Sequence, residues 1–475
     1  MLQHDLQQPQ ATSSLFKKDL DFSDASNSRN ITDNIDTHLG QLVLHHQAAP
    51  NPSAAPGDEE TAVDTDSDVN PPTNKSAPET QNMLSGITPV VNDVETTAFS
   101  KDGTDPQYQS AQSPNATVSQ EFTLTSIRAN LGDKDAQVAL GDMYRDGKVV
   151  GQDYQAAMKW FLRAADQKDP VGQRKVGVLY EYGHGVTRDY SMAMTWYLLS
   201  ADQGNAQAQW NIANFYRTGD GVPRDYSKAM EWFLKGASQG HADSQNDVGN
   251  LYHDGLGVPQ DYSLAMEWYL KAAEQDEPFA LTNIGHNYCY GEGVAQDFSK
   301  AMEWYLKAAN QGHLDALTDI GNMYWDGNGV TQDYTKAMEW YMKAADQGHS
   351  YAQHNIGYLY HHGQGVVRDY SLAMEWYRKA ALQGRADSQY TVGCLYRDGQ
   401  GVPRDYSQAA AWFLKAAKQG ISAAQYAIGT LYEYGDGVPQ DVWSAKEWYL
   451  KAAKQDHTEA RTRFEDLHRY ESHFY

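Results

Sequence analysis

The side chains best suited to bind another molecule lie in a row that recurs every 36 residues over most of the chain. In each 36-residue unit, three positions spaced i, i+4 and i+7 change type between units, while the residues in the second half of the unit scarcely change. A freely drifting solvent face would collect Lys, Glu and Ser, whereas aromatic residues and Arg are enriched where proteins bind each other. The residues that we predict to contact a partner are Arg174, Trp210, Asn214, Arg217, Asn246, Asn250, His253, His286, Asn322, Trp325, His354, Tyr358, His361, Tyr390, Arg397 and Tyr426.

Catalysis and metal binding are not favoured by the sequence. It lacks a Gly-rich phosphate-binding loop with its Lys, a His-Glu-x-x-His pair and a Cys-x-x-Cys pair. His354 and His361 share one helix face, but their imidazoles would stand about 10 Å apart along the axis, too far to share one ion. Cys289 and Cys394 are three units apart, so we expect free thiols in a reducing compartment. We therefore predict a protein that is not an enzyme and has no metal and no cofactor.

The row is predicted to lie on the first of two helices in each unit. In the sixth unit Leu317, Ile320, Met323 and Tyr324 follow the i, i+3, i+6, i+7 spacing of one buried helix face. Gly321 stands three residues before Tyr324, and eight of the nine units carry Gly at this position. Because a mid-helix Gly costs about 1 kcal/mol relative to Ala, we expect it to allow a close approach of the partner helix.

The second helix of each unit is the more regular of the two. In the sixth unit we expect Asp333 to cap its first turn, and Trp340 and Tyr341 to form the packing layer. Glu339 and Lys343, at i and i+4, are expected to pair on the solvated face. A fixed period of 20 to 50 residues indicates a solenoid. The Trp of this helix recurs without insertion or deletion at Trp160, Trp196, Trp232, Trp268, Trp304, Trp340, Trp376, Trp412 and Trp448.

The repeated pattern resembles a known repeat family. Gly-x-x-Tyr, then Gly-x-Gly-Val, then Asp-Tyr-x-x-Ala-x-x-Trp-Tyr-x-Lys-Ala-Ala-x-Gln-Gly is similar to the Sel-1-like repeat, a relative of the tetratricopeptide repeat. The resemblance implies an all-α fold, a right-handed α/α superhelical solenoid of nine repeats whose first helices line a concave groove. It also implies an adaptor, since most members of this family act in multiprotein assemblies, including endoplasmic-reticulum degradation complexes, chitin synthase activation and signalling.

Composition divides the chain into four parts. Residues 1–120 hold ten of the sixteen prolines, four aromatic residues and 5 Lys+Arg against 17 Asp+Glu, so we predict a disordered acidic tail. Within it, the apolar patch Ile35–His46 is either transient local order, which we favour, or a docking motif. Residues 121–134 are predicted to form an N-terminal capping helix, 135–457 the nine repeats and 458–475 a C-terminal capping helix.

Charge and hydropathy restrict partner and compartment. A formal net charge of −24 argues against nucleic acid, because phosphate binding needs basic patches. No run of residues is apolar enough to insert into a membrane, and the first residues lack the pattern of a secretory signal. We therefore expect a monomer in the cytoplasm, with the nucleus left open.

The sequence thus predicts a non-catalytic scaffold that holds a protein or peptide segment in the concave groove. Three other readings stay open at this point. The chain could be a regulatory subunit of an enzyme complex of the chitin synthase or ubiquitin-ligase type, its acidic tail could occupy its own groove, or an enzymatic site could lie between repeats.

Overall fold

The computed structural model describes residues 114–472. Within this range every element of regular secondary structure is a helix, and short loops join the helices. The predictions for residues 1–113, including the acidic tail and the patch Ile35–His46, lie outside the described residues. Helix α1 spans Pro114–Asn130, so it begins within the segment predicted to be disordered and ends before the predicted boundary at residue 134. None of the helices in the described range is long and apolar enough to cross a membrane.

Nine helical pairs follow α1, and we number them units 1 to 9. Each first helix packs against the second helix of its own unit, and each second helix packs against the next first helix. A final helix, α20, spans Thr458–Ser472. The pairs are α2 Lys134–Asp146 and α3 Tyr154–Asp166, α4 Pro170–Tyr182 and α5 Tyr190–Ala201, α6 Ala206–Thr218 and α7 Tyr226–Ser238, α8 Ala242–Asp254 and α9 Tyr262–Ala273, α10 Pro278–Tyr290 and α11 Phe298–Asn310, α12 Leu314–Asp326 and α13 Tyr334–Ala345, α14 Ser350–His362 and α15 Tyr370–Leu382, α16 Ala386–Asp398 and α17 Tyr406–Lys418, and α18 Ser422–Tyr434 and α19 Val442–Ala453.

Local sequence fixes where these helices begin and end. The Asp333 carboxylate accepts a hydrogen bond from the backbone N–H of Lys336 at 3.0 Å, which confirms the predicted cap of α13. Helix α12 ends at Gly327, whose positive φ of 77° lets its N–H bond to the carbonyl of Met323. Caps of both kinds recur along the array, so the turns repeat with the units.

Each unit is held together by an aromatic ring of the second helix that lies against the Gly of the first. In unit 4 a Cβ added to Gly249 would stand 2.5 Å from Cε1 of Tyr269, a ring that is only 2% exposed. The predicted close approach at this Gly is therefore confirmed. Unit 3 carries the one exception, in which Ala213 faces Phe233 and both residues are completely buried.

The neighbouring Trp of each second helix packs at the boundary between units. Trp340 is half-buried and contacts two clusters, one that joins α11 of unit 5 to α12 of unit 6 through Tyr305 and Ile320, and one that contains Tyr341 of its own helix. Its outer face lies under the ammonium of Lys343, 3.4 Å from the ring centroid. The expected ion pair between Glu339 and Lys343 is therefore replaced by a cation–π contact, which keeps the ammonium hydrated while its stem covers the indole.

Buried glutamines add a second link inside and between units. In unit 3 the Gln209 side-chain amide donates to the carbonyl of Ala201, at the end of the preceding second helix, at 3.4 Å. The Gln239 amide, at the end of α7, donates in turn to the Gln209 side-chain oxygen at 2.7 Å. Units 5 and 6 carry Leu281 and Leu317 at the position of Gln209, so this link is specific to the other units.

We predict that Gly249→Ala destabilises the array although Ala is the better helix former. Overpacking against Tyr269 should cost about 1 to 3 kcal/mol, more than the gain of about 1 kcal/mol in helix propensity. Urea unfolding followed by circular dichroism, with hydrogen exchange in unit 4, measures the difference.

The matched control is Ala213→Gly, which removes a methyl that the fold already accommodates. It should lose about 1 kcal/mol in helix propensity and about 0.8 kcal/mol more for the buried methyl. A Gly249→Ala chain as stable as the unsubstituted chain, or more stable, would refute the packing role of this Gly.

Candidate partner-binding surface

The sixteen predicted contact residues lie on the first helices, and we call the surface made by their row the first-helix wall. Its members differ in exposure. Asn246 is buried, most others are half-buried, and Arg217 and Tyr358 are exposed, the latter by 36%. The wall is therefore a surface of partly embedded side chains, many of which also contact the next unit.

Hydrogen bonds run sideways along the wall from unit to unit. The indole N–H of Trp210 donates to Asp247 in the next unit at 2.7 Å. Likewise, Nε2 of His286 lies 2.8 Å from the Asp319 carboxylate, one unit further along. Row residues are thus paired with polar residues of the following first helix, which fixes their orientation before any partner arrives.

The sequence prediction missed the position on the next first helix that takes part in these bonds. It follows the first row position by one residue and stays polar in seven successive units. That persistence was the available signal. The residues at this position are Lys175, Asn211, Asp247, Asn283, Asp319, Asn355 and Thr391.

Asn246 and Asn250, two residues of the wall, are joined through Asn283 of the next unit. The Asn283 amide donates to the side-chain oxygens of Asn246 at 3.0 Å and Asn250 at 3.1 Å. Asn250 also accepts from the hydroxyl of Tyr269 at 2.9 Å. The ring that packs against Gly249 therefore also holds a wall residue in place, so the packing layer and the candidate site are one structure.

The same arrangement, in which a buried Tyr and an Asn of the next unit bond to one wall Asn, recurs in unit 6. The Tyr341 hydroxyl donates to the Asn322 oxygen at 2.8 Å, and the Asn355 amide reaches the same oxygen at 3.4 Å. Burial raises the pKa of Tyr341, so its hydroxyl keeps its proton and remains a donor.

Aromatic rings gather on the wall at units 6 and 7. Trp325 and Tyr358 meet across the unit boundary with ring centroids 4.9 Å apart. Tyr358 lies 4.1 Å from His362, which is itself stacked at 4.8 Å on His361. Burial lowers the pKa of both imidazoles, so both are neutral at neutral pH. We call Trp325, Tyr358, His361 and His362 the aromatic cluster.

His354 differs from the cluster because it faces inward. Its Nδ1 lies 2.8 Å from the Ser388 hydroxyl in the next unit, and its ring meets the edge of Tyr377 at 5.1 Å. Burial, reinforced by the charge of Arg385, lowers the pKa of His354 to about 4. Among the described residues, no group of three or more His, Cys, Asp and Glu side chains is placed to hold a metal ion.

The other predicted residues are anchored within their own unit or the next. His253 lies between Asp254 and Glu292, and hydrogen bonding to Asp254 is the main cause that raises its pKa. Arg217 donates to Asn214 at 2.6 Å. Arg174 makes no hydrogen bond or ion pair with any described residue.

The row residues of the last two units are also kept in place by contacts with nearby side chains. Arg397 donates to Asp398 at 2.7 Å, and Tyr390 lies 5.7 Å from the Phe413 ring. Tyr426 stacks on His457 at 4.8 Å, just before α20. Row residues in these units are therefore supported mainly by local contacts.

Comparison with known proteins identifies the repeats. A family model described as the Sel1 repeat matches nine successive stretches, and each begins at the first residue of a first helix. The stretches are 134–169, 170–205, 206–241, 242–277, 278–313, 314–349, 350–384, 386–421 and 422–457. No curated protein matches the chain.

Three of the solved structures that resemble this chain come from bacteria. The c5321 protein, a protective antigen of uropathogenic Escherichia coli strains with an SLR fold, is 32% identical over 74% of this chain and 84% of its own, with a TM-score of 0.44. A Sel1 repeat protein from Oxalobacter formigenes is 32% identical over 70% of this chain and 98% of its own, with a TM-score of 0.47. Immunity protein Pa5087 from Pseudomonas aeruginosa is 23% identical over 46% and 81%, with a TM-score of 0.34.

We predict that stability falls as pH drops from about 6.5 toward 4, in part through His354. Its folded pKa lies below the ordinary value of 6.5, so the neutral imidazole stabilises the fold above that value and the benefit is lost on protonation. At about 1.4 kcal/mol per pKa unit, the loss reaches no more than about 3 kcal/mol. His354→Asn should therefore flatten this part of the pH profile in urea unfolding.

His253→Asn is the control of opposite sign. The pKa of His253 is raised, so its contribution is present at low pH and lost as pH rises through the folded pKa. This variant should lose stability at low pH relative to the unsubstituted chain. A His354→Asn profile that falls as steeply as the unsubstituted one would contradict the assignment.

Proposed function

This chain belongs to the Sel1 repeat family, and from that membership we propose that it is a non-catalytic adaptor that holds a segment of a partner protein against the first-helix wall. Sel1 repeat proteins are generally protein-interaction scaffolds, and solenoids of this kind are generally not enzymes. For this chain, the first-helix wall is the surface that binds the partner segment, through the side chains named below.

The observation that carries the proposal is the aromatic cluster at units 6 and 7. Trp325 and Tyr358 touch across the boundary, and Tyr358 keeps 36% of its surface exposed. Large aromatic side chains with an apolar face and a polar edge dominate the energy of many protein interfaces. Rings held in place before binding lose little conformational freedom when a partner docks.

The sideways hydrogen bonds support the same function. Because side chains of neighbouring first helices reach one another, the units are close together on this side of the array. Asn322, for example, is fixed by Tyr341 and Asn355 rather than free to rotate. A stack of short, linked helices offers one continuous surface to an extended segment.

We predict that Trp325→Ala combined with Tyr358→Ala abolishes partner capture without loss of helicity. Residues that act as binding hot spots cost at least about 2 kcal/mol when truncated, which corresponds to roughly thirtyfold weaker binding. Affinity purification with quantitative mass spectrometry compares the proteins retained by each variant, and circular dichroism reports helicity. Since the two rings touch, the single variants should show non-additive losses.

Trp443→Ala provides the matched control. Trp443 is 73% exposed on the second helix α19, so this substitution removes an exposed indole and leaves the wall unchanged. It should retain the same partners as the unsubstituted chain. If the double variant also retains them, or if Trp443→Ala loses them equally, the wall is not the binding surface.

A further inference from the structure

The first-helix wall is chemically uneven along its length. At units 2 and 3 it presents two cations that have no carboxylate partner within ion-pair distance among the described residues, Arg174 and Arg217, and a third such cation, Lys148, lies beside the wall in the loop that follows α2 of unit 1. Arg217 bonds only to the neutral Asn214, through Nε at 3.0 Å and Nη2 at 2.6 Å. These cations are the part of this end of the wall that can still attract an anion.

An open concavity of about 530 Å³ lies at the same end. It is lined by Lys148 and by Arg145 and Val178, which occupy row positions in units 1 and 2 but are not among the sixteen predicted contact residues. Arg145 is neutralised by ion pairs with Asp142 at 2.8 Å and Asp146 at 2.7 Å. Lys148 is therefore the uncompensated charge of this concavity.

Aromatic rings and an imidazole also line the concavity. His184 stacks between Tyr154 at 4.5 Å and Tyr182 at 5.7 Å, and Tyr182 is 60% exposed. The concavity thus offers a cation beside flat apolar surface, which suits acidic side chains on an extended segment more than a compact apolar ligand.

The middle of the wall offers no such cation, because its carboxylates are already hydrogen-bonded to imidazoles of the preceding unit. His253 lies 2.9 Å from Glu292 and His286 lies 2.8 Å from Asp319, each across a unit boundary. Beyond them the aromatic cluster presents apolar rings and two imidazoles. Going along the array, an anion-binding end is thus followed by a self-paired stretch and then by an apolar stretch.

Resting on the proposed function, we infer that the partner segment is bipartite: an acidic stretch meets Lys148, Arg174 and Arg217, and an apolar stretch with aromatic or proline residues meets the aromatic cluster. Carboxylates complement the unpartnered cations, and proline-containing extended segments dock on aromatic-lined surfaces. A wholly acidic or wholly apolar segment would leave one of the two parts of the wall unused.

The spacing between the two stretches follows from the repeat. Four unit steps separate Arg174 in unit 2 from Trp325 in unit 6, and Arg217 in unit 3 from Tyr358 in unit 7. Side chains of successive first helices hydrogen-bond across unit boundaries, so successive first helices lie about 10 Å apart and four steps span roughly 40 Å. An extended chain covers about 3.3 Å per residue, so the stretches should be about 12 residues apart.

Synthetic peptides test this inference on the full chain. Fluorescent probes carry Asp-Glu-Asp-Glu, or Pro-Leu-Trp-Pro, or both joined by a Gly/Ser linker of about 36 residues, whose average end-to-end distance approaches the span, or of about 4 residues. When both blocks can bind at once, the second binding is intramolecular, so the long-linker peptide should bind at least about tenfold more tightly than either block alone. The short linker cannot span the distance and should give no such gain.

Charge reversal identifies the acidic end. Arg174→Glu with Arg217→Glu should bring the long-linker peptide to within about twofold of the Pro-Leu-Trp-Pro peptide, whose own affinity should not change. Arg224→Glu is the matched control, because Arg224 lies over the ring of Tyr226 in a loop outside the wall. That variant should leave both affinities unchanged.

Three results would overturn the bipartite partner: a long-linker peptide that binds no better than its blocks, a gain equal for both linkers, or an affinity unaffected by the charge reversal. Failure of every peptide to bind would also overturn it. None of these results decides the proposed function, which depends separately on whether Trp325→Ala with Tyr358→Ala loses the natural partner.

Discussion

The contact between an aromatic ring of the second helix and a Gly of the first determines how the rest of this array is built. At Gly249 the ring of Tyr269 occupies the space that any side chain would need. This close approach places the ring hydroxyl within reach of Asn250 on the wall, and it brings the neighbouring Trp268 to the boundary with unit 3. Core packing, stacking of units and orientation of the candidate site therefore depend on the same pair of residues.

Because wall residues also join neighbouring units, a difference in residue type between units is not by itself a sign of binding. Some row residues differ between units because each must match a neighbour, as Trp210 matches Asp247 and His286 matches Asp319. Those differences come from the need to join units. Other row residues form no hydrogen bond to the next unit, and they include Arg174 and Arg217 among the cations of units 1 to 3 and the rings of the aromatic cluster in units 6 and 7. Binding specificity is therefore best sought at these two places rather than evenly along the wall.

The sequence predicted well the features that depend on one unit alone. The helix pair, the cap at Asp333 and the close approach at the mid-helix Gly all follow from local spacing and residue type. The sideways pairing could not be predicted in detail, because it depends on how one first helix lies against the next. Lys343 was expected to pair with Glu339, but the half-buried Trp340 offers a nearer surface that shields part of its stem from water. The glutamine link was visible as Gln at two positions of most units, yet only the fold shows that Gln239 meets Gln209.

The central claim is that a partner lies on the first-helix wall and not on the outer face of the second helices. Site-specific photo-cross-linking tests it directly, with a photoreactive residue placed at Tyr358 or Arg217 on the wall and at Glu375 or Glu231 on exposed positions of second helices. The account predicts that the same partner protein is cross-linked from the two wall positions and not from the two second-helix positions. Cross-links of equal or greater yield from Glu375 or Glu231 would contradict it.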